Sequence, residues 1–125
     1  MLEANLSAKA GEWRYADFQG IELTGKTLCI VGYGNIGKRV GELAAAFGMH
    51  ILGINSTTSK KEMKHFFSQS DVISVHCPLI SSTNSLLNAE MFDAFKSGCL
   101  LINTARGGVI NEPDLLMALD SGVIR

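Results

Sequence analysis

The chain has 125 residues, is 46% apolar and 18% charged, and carries a formal net charge of −1. That composition excludes a disordered polymer, is long enough to bury a core without staples, and leaves no basic excess to attract nucleic acid or anionic lipid. Its longest apolar runs, about five residues, fall far short of the roughly 20 that a membrane helix needs.

The first twenty residues are the hardest to read. They lack a basic start followed by an apolar core, so no signal peptide is expected. The stretch "GEWRYADFQG" sets Trp13, Tyr15 and Phe18 among polar residues. Residues 1–20 read as an arm or helix that packs on a partner. From there the pattern alternates strand and helix. Residues 27–32, "TLCIVG", are a short apolar run. A helix is expected over about 35–47, with Ile36, Val40, Leu43 and Phe47 at helical spacing on one face. Residues 50–55, "HILGIN", are a second strand. Ser59 and Glu62 have the spacing of a capping box and open a helix through Phe66 and Phe67. Residues 71–77 are a third strand, closed by Pro78. Asn88 caps a short helix, "AEMFDAF". Residues 99–104 are a fourth strand. Asn111, with Pro113 in the first turn, starts a helix ending at Gly122. The strands are almost entirely apolar, as in a parallel sheet covered on both faces. The expected fold is therefore α/β, a Rossmann-like doubly wound parallel sheet in three α/β/α layers, forming a dinucleotide-binding domain over 1–125.

Three cysteines, Cys29, Cys77 and Cys99, each lie in or beside an apolar run. Their odd number and wide spacing fit buried free thiols in a reducing, cytoplasmic setting, and they offer no close pair for zinc. No metal site is expected.

Polar motifs fall at the carboxyl ends of all four strands. Gly32, Gly34 and Gly37 fit G-x-G-x-x-G between a strand and a helix. Gly32 permits the tight turn, Gly34 lets a pyrophosphate approach the backbone, and Gly37 allows close helix–strand packing. The helix N-terminus offers free N–H groups to phosphate. A glycine turn without a ligand is the competing reading, and the strand–turn–helix context favours the dinucleotide. Asn55 follows Gly37 by 18 residues, where such sites usually carry an acid for the adenosine ribose. Here an amide stands instead, and a local turn cap is an equal alternative. His76, in "HCP", fits a metal ligand, a catalytic base or a packed residue. Packing is favoured, because no second ligand is spaced to help it. His50 and His65 read as surface residues. Arg106, in "NTARGG", offers a planar fork suited to a carboxylate, against an ordinary surface ion pair. Because ligands of open α/β sheets bind outside the carboxyl ends of the strands, all four motifs can face one crevice.

The motifs "ELTGKTLCIVGYGNIGKRV", "FGM", "SDVISVHCPL" and "NTARGGVINEPDLLMALDSG" resemble those of the D-isomer-specific 2-hydroxyacid dehydrogenase family, in its nucleotide-binding domain. The resemblance runs from Trp13 onward. It implies NAD, with NADP as the alternative, bound across Asn35, Ile36, Asn55, Cys77, Pro78, Thr83, Thr104 and Ala105, beside the three glycines. It implies Arg106 as the catalytic arginine, also against the coenzyme, holding the carboxylate and keto group of a small 2-keto or 2-hydroxy acid. It further implies a homodimer to which the segment around Trp13 contributes. Two departures stand out. The family's glutamate and histidine lie beyond Arg125 and His76 does not take that histidine's place, so the resemblance implies part of a longer enzyme, lacking its substrate-binding domain and inactive alone. Only 15 residues separate Asn55 from Asp71, where relatives have roughly two dozen, so the crossover beside the adenine pocket is trimmed. The alternative to an enzyme is a dinucleotide-sensing or protein-interaction module of the same fold that does no chemistry.

Overall fold

Four apolar runs too short to stand alone become stable strands by pairing in register. In the computed structural model, which describes residues 2–125, these are β1 (Thr27–Val31), β2 (His50–Ile54), β3 (Val72–Val75) and β4 (Leu100–Asn103). All pairs are parallel, in the order β2-β1-β3-β4. The helices are α1 (Leu2–Lys9), α2 (Asn35–Ala46), α3 (Lys60–Gln69), α4 (Ala89–Phe92) and α5 (Glu112–Asp120). This is an α/β, Rossmann-like fold. The chain leaves β1 toward β2, then returns to lay β3 on the other side of β1. Loops on either side of that reversal part company and leave a crevice at the carboxyl ends of β1 and β3.

Helices cover both faces. On one, α2 supplies Ala44 against Leu28, Ile30, Met49 and Val72. On the other, Met63 and Phe67 of α3, Met91 and Phe92 of α4 and Ala118 of α5 pack on Cys29, Val31, Ile73 and Val75. Phe95 joins that side with its ring 4.9 Å from Phe67 and 5.3 Å, edge-on, from Phe92, a geometry that adds to area burial. Two of the three expected caps form, while Asn88 stands at the N-cap of α4 without a capping hydrogen bond and donates its Nδ2 to Ser85 O instead. Ser59 Oγ accepts from Glu62 N while Glu62 Oε2 accepts from Ser59 N, and Asn111 Oδ1 accepts from Asp114 N. The cysteines are free and buried. Burial pushes the Cys29 thiol up to about 12 and the Cys99 thiol up to about 11, so neither is reactive at neutral pH.

Of the expected face of α2 only Val40 packs, half-buried, on the sheet core. Ile36, at 69% exposure, Leu43 and Phe47 point away from the sheet, and the buried positions are Gly37, Gly41 and Ala44. The reason is distance. A Cβ on Gly37 would lie 2.4 Å from Gly32 O, and one on Gly41 would lie 3.2 Å from the Tyr33 ring. The helix sits too close to the sheet for large side chains, so they occupy its other side. Element ends also shrink. Asp71, His76 and Cys77 fall outside β3, Cys99 and Thr104 outside β4, and α4 is a single turn, as fraying and capping commonly dictate.

At the amino ends of the strands, Asp71 accepts from Thr27 N at 2.9 Å and from Lys96 Nζ at 2.6 Å. The Lys96 hydrogen bond lowers the Asp71 carboxyl below its ordinary range. This clamp fixes where β1 and β3 begin, and so where they end.

A candidate coenzyme crevice

The crevice begins with what is missing from the first turn. Gly32 has φ +97°, and a Cβ there would lie 2.5 Å from Cys77 N. No side chain fits, and the β1 turn therefore lies directly against the β3 loop. Gly32 N and Tyr33 N both donate to Ile54 O. Tyr33 then lays its ring over Gly53 and Gly41, positions where a Cβ would meet it at 2.6 Å and 3.2 Å. Gly34 is the N-cap of α2, with open space where its Cβ would be.

The helix starts differ in a way that bears on ligands. The first N–H groups of any helix lack internal partners. Those of α3 and α5 are met by the Ser59 and Asn111 side chains, and Ala89 N at the start of α4 donates to Asp114 Oδ2. No side chain caps α2. Its first-turn donors stay available over a glycine surface, which fits the phosphates of a dinucleotide.

After β2, Asn55 closes its own turn. Its Oδ1 accepts from Thr57 N at 2.9 Å and Thr57 Oγ1 at 2.6 Å, and its backbone N donates to Thr58 Oγ1. The acceptor atom is occupied locally. After β3, His76 N donates to Val31 O, and the chain turns at Pro78. Thr83 Oγ1 accepts from Ile80 N and donates to Pro78 O at 2.6 Å, so its hydroxyl braces the loop. After β4, Asn103 clamps a tight turn. Its Oδ1 accepts from Ala105 N at 3.0 Å and its Nδ2 donates to Arg106 O at 3.1 Å. Arg106 is exposed and donates through one Nη to Ala105 O.

These turns enclose a cleft of about 630 Å³ lined by Ile36, His76, Cys77, Pro78, Leu79, Thr104, Ala105 and Arg106. Of the expected site residues, Ile36, Cys77, Pro78, Thr104, Ala105 and Arg106 meet there. Gly32, Gly34, Asn35 and Gly37 form the adjoining turn, while Asn55 and Thr83 lie outside the lining. His76 was read mainly as a packing residue, yet it faces the cleft and is hydrogen-bonded on both ring nitrogens, to Ser74 and Thr104. Burial lowers its pKa below the ordinary histidine range. Leu79 was not expected in the cleft at all. Among the described residues no group of three His, Cys, Asp or Glu side chains could hold a metal ion, and no helix is long and apolar enough to cross a membrane.

The fold is shared with known proteins. The chain is 41% identical to D-3-phosphoglycerate dehydrogenase of Bacillus subtilis over 134 residues, covering 96% of this chain and 25% of that protein. It is 38% identical to hydroxypyruvate reductase of Thermotoga maritima, covering 99% of this chain and 43% of that one. Among solved structures it superposes on Salmonella D-lactate dehydrogenase with a TM-score of 0.87 and 30% identity, over 98% of this chain and 40% of that one. The chain thus spans less than half the length of each of these relatives. The family described as D-isomer specific 2-hydroxyacid dehydrogenase, NAD binding domain, matches residues 1–125, and the chain belongs to that family.

Proposed function

We propose that this chain is the coenzyme domain of an oxidoreductase that moves a hydride between NAD(P)H and a small 2-keto or 2-hydroxy acid. The observation that carries the reading is the uncapped start of α2 opening onto the cleft that Arg106 also lines. In this reading the Gly32, Gly34 and Gly37 turn, with Asn35 and Ile36, holds the pyrophosphate. Cys77, Pro78, Thr83, Thr104 and Ala105 border the rest of the coenzyme. The bound nicotinamide supplies or accepts the hydride. Arg106 holds the substrate carboxylate and polarises the keto group through its planar fork. No histidine in the described residues has a carboxylate partner; His76 pairs with Ser74 and Thr104, and His65 with Gln69. The general acid, commonly worth about 10²–10⁴ in rate, is therefore not supplied by these residues, and the 125-residue chain binds without turnover. A cytoplasmic homodimer completes the proposal, with exposed Trp13 and Tyr15 on the partner-facing arm.

Asn55 stands at the adenosine ribose. With Oδ1 engaged by Thr57, it offers its Nδ2 donors and no negative charge. That removes the repulsion an aspartate would exert on a 2′-phosphate. Fluorescence titration at matched salt should place NADPH within about tenfold of NADH, an affinity gap near 1.4 kcal/mol, and Asn55→Asp should restore a strong preference for NADH. The same preparation should leave a panel of 2-keto acids unreduced. Absence of dinucleotide binding overturns the coenzyme reading. Exclusion of NADPH by the parent as strongly as by Asn55→Asp overturns the role of Asn55.

A further inference from the structure

The parallel register sets an arrangement that local sequence does not reveal. Ser74 pairs with Ile102 across β3 and β4. Residues two apart share a face, so His76 and Thr104, each two further on, come side by side just past the strand ends. The contacts follow. Ser74 Oγ lies 2.8 Å from His76 Nε2, His76 Nδ1 lies 3.2 Å from Thr104 Oγ1, and Thr104 Oγ1 lies 3.2 Å from Val75 O.

Proton counting assigns a direction to this chain. A neutral imidazole has one donor and one acceptor nitrogen, and each hydroxyl has one proton to give. Val75 O can only accept, so Thr104 spends its proton there. His76 Nδ1 must then donate to Thr104 Oγ1. Nε2 is left as acceptor, and it takes the proton of Ser74, a residue only 5% exposed whose side chain has no other hydrogen-bond partner among the described residues. The opposite tautomer strands the buried Ser74 proton and competes for that of Thr104. An imidazolium donates from both nitrogens and strands Ser74 in the same way. Leaving a buried donor unmet costs more than an ordinary hydrogen bond returns.

We propose that His76 is a positioning residue: as the neutral Nδ1–H tautomer it locks Thr104 to the end of β3 and thereby fixes the turn that presents Arg106. Asn103 clamps that turn from within, through Ala105 N and Arg106 O. His76 is its anchor to the neighbouring strand. The charged and titratable groups facing the ring are few. Arg106 lines the same cleft from the β4 turn, Cys77 adjoins the ring on its own loop with its thiol pushed up by burial, and no carboxylate lines the cleft. Burial lowers the ring's pKa below the ordinary histidine range, in the same sense as the unmet Ser74 proton, and acidification releases the turn. The role in ligand binding rests on the coenzyme reading above.

The test uses the ¹⁵N-labelled chain and NADH. Long-range ¹H–¹⁵N spectra at pH 7.5 should place the His76 proton on Nδ1. The amide signals of Thr104, Ala105 and Arg106 should move with the same midpoint as the His76 ring when the pH is lowered. His76→Asn and His76→Gln separate positioning from packing. The asparagine amide nitrogen is as many bonds from Cα as Nδ1 and can still donate to Thr104. Glutamine is closer in length but places its nitrogen at the Nε2 position. His76→Asn should therefore bind NADH within about threefold of the parent and abolish the pH response of the turn. His76→Gln should lose about tenfold, the value of one hydrogen bond. A proton on Nε2, turn amides indifferent to the ring, or glutamine outperforming asparagine each overturns the proposal. If neither parent nor variants bind NADH, the coenzyme reading falls, while the tautomer and the turn amides still decide the role of His76.

Discussion

The turns after β1 and β4 stand on either side of one cleft and are built by opposite means. The β1 turn is held by absence. Gly32, at φ +97°, lies against the Cys77 backbone, and Gly37 lies against Gly32 O. The β4 turn is held by side chains, with Asn103 bonding forward to Ala105 and Arg106 and Thr104 bonding across to His76 and Val75. A turn made from close backbone contacts is rigid and delivers the chain to the start of α2, whose first N–H groups no side chain caps. A turn made from side-chain hydrogen bonds can be released one bond at a time, and this one carries Arg106 at the lip of the cleft.

The sharpest way to break this contrast is Gly32→Ala. The new methyl would meet Cys77 N at 2.5 Å and His76 C at 2.8 Å, backbone atoms that cannot swing aside. Overpacking and left-handed strain together should cost about 3 kcal/mol or more. Calorimetry should register a fall of roughly 10 °C in Tm, with NADH binding lost. A Tm within 2 °C of the parent would mean that the first turn is not sterically built. The matching change on the other side is Asn103→Ala. It removes two hydrogen bonds from an exposed turn and should cost about 1 kcal/mol globally, while amide exchange at Ala105 accelerates far more than exchange in β1. Uniform acceleration through the sheet would contradict a locally releasable turn. Arg106→Lys should have the smallest effect on the fold, within about 0.5 kcal/mol, and should leave NADH affinity within about threefold. In the longer enzyme of the proposal above it should fail to support turnover, because a point charge does not reproduce a planar fork. Near-parental kcat/KM in that setting would remove Arg106 from its assigned role.

What was legible in the sequence was whatever acts over a few residues. The strand runs, the Ser59–Glu62 box, the Asn111 cap and the three glycines all announce themselves within one turn, and each forms in the structure. The face of α2 was misread because Ile36, Leu43 and Phe47 carry the periodicity of a core stripe, and periodicity cannot report how close a helix sits to its sheet. The link between His76 and Thr104 was missed because it joins residues 28 apart and exists only through the β3–β4 register. Asn55 could not be resolved from sequence, since one amide serves a turn or a ligand equally well. In the fold its oxygen goes to Thr57.

The Tyr33 slot carries a consequence for how this sequence can vary. The ring occupies volume vacated by two residues distant in the chain, Gly41 on the helix and Gly53 on the second strand. None of the three positions is free to drift alone. A side chain at 53 collides with the ring, and a smaller residue at 33 leaves a void between helix and strand. Only paired changes, a smaller residue at 33 with a larger one at 41 or 53, conserve the volume. Positions 33, 41 and 53 therefore form one epistatic unit, whose substitutions are non-additive and whose natural variation should be correlated.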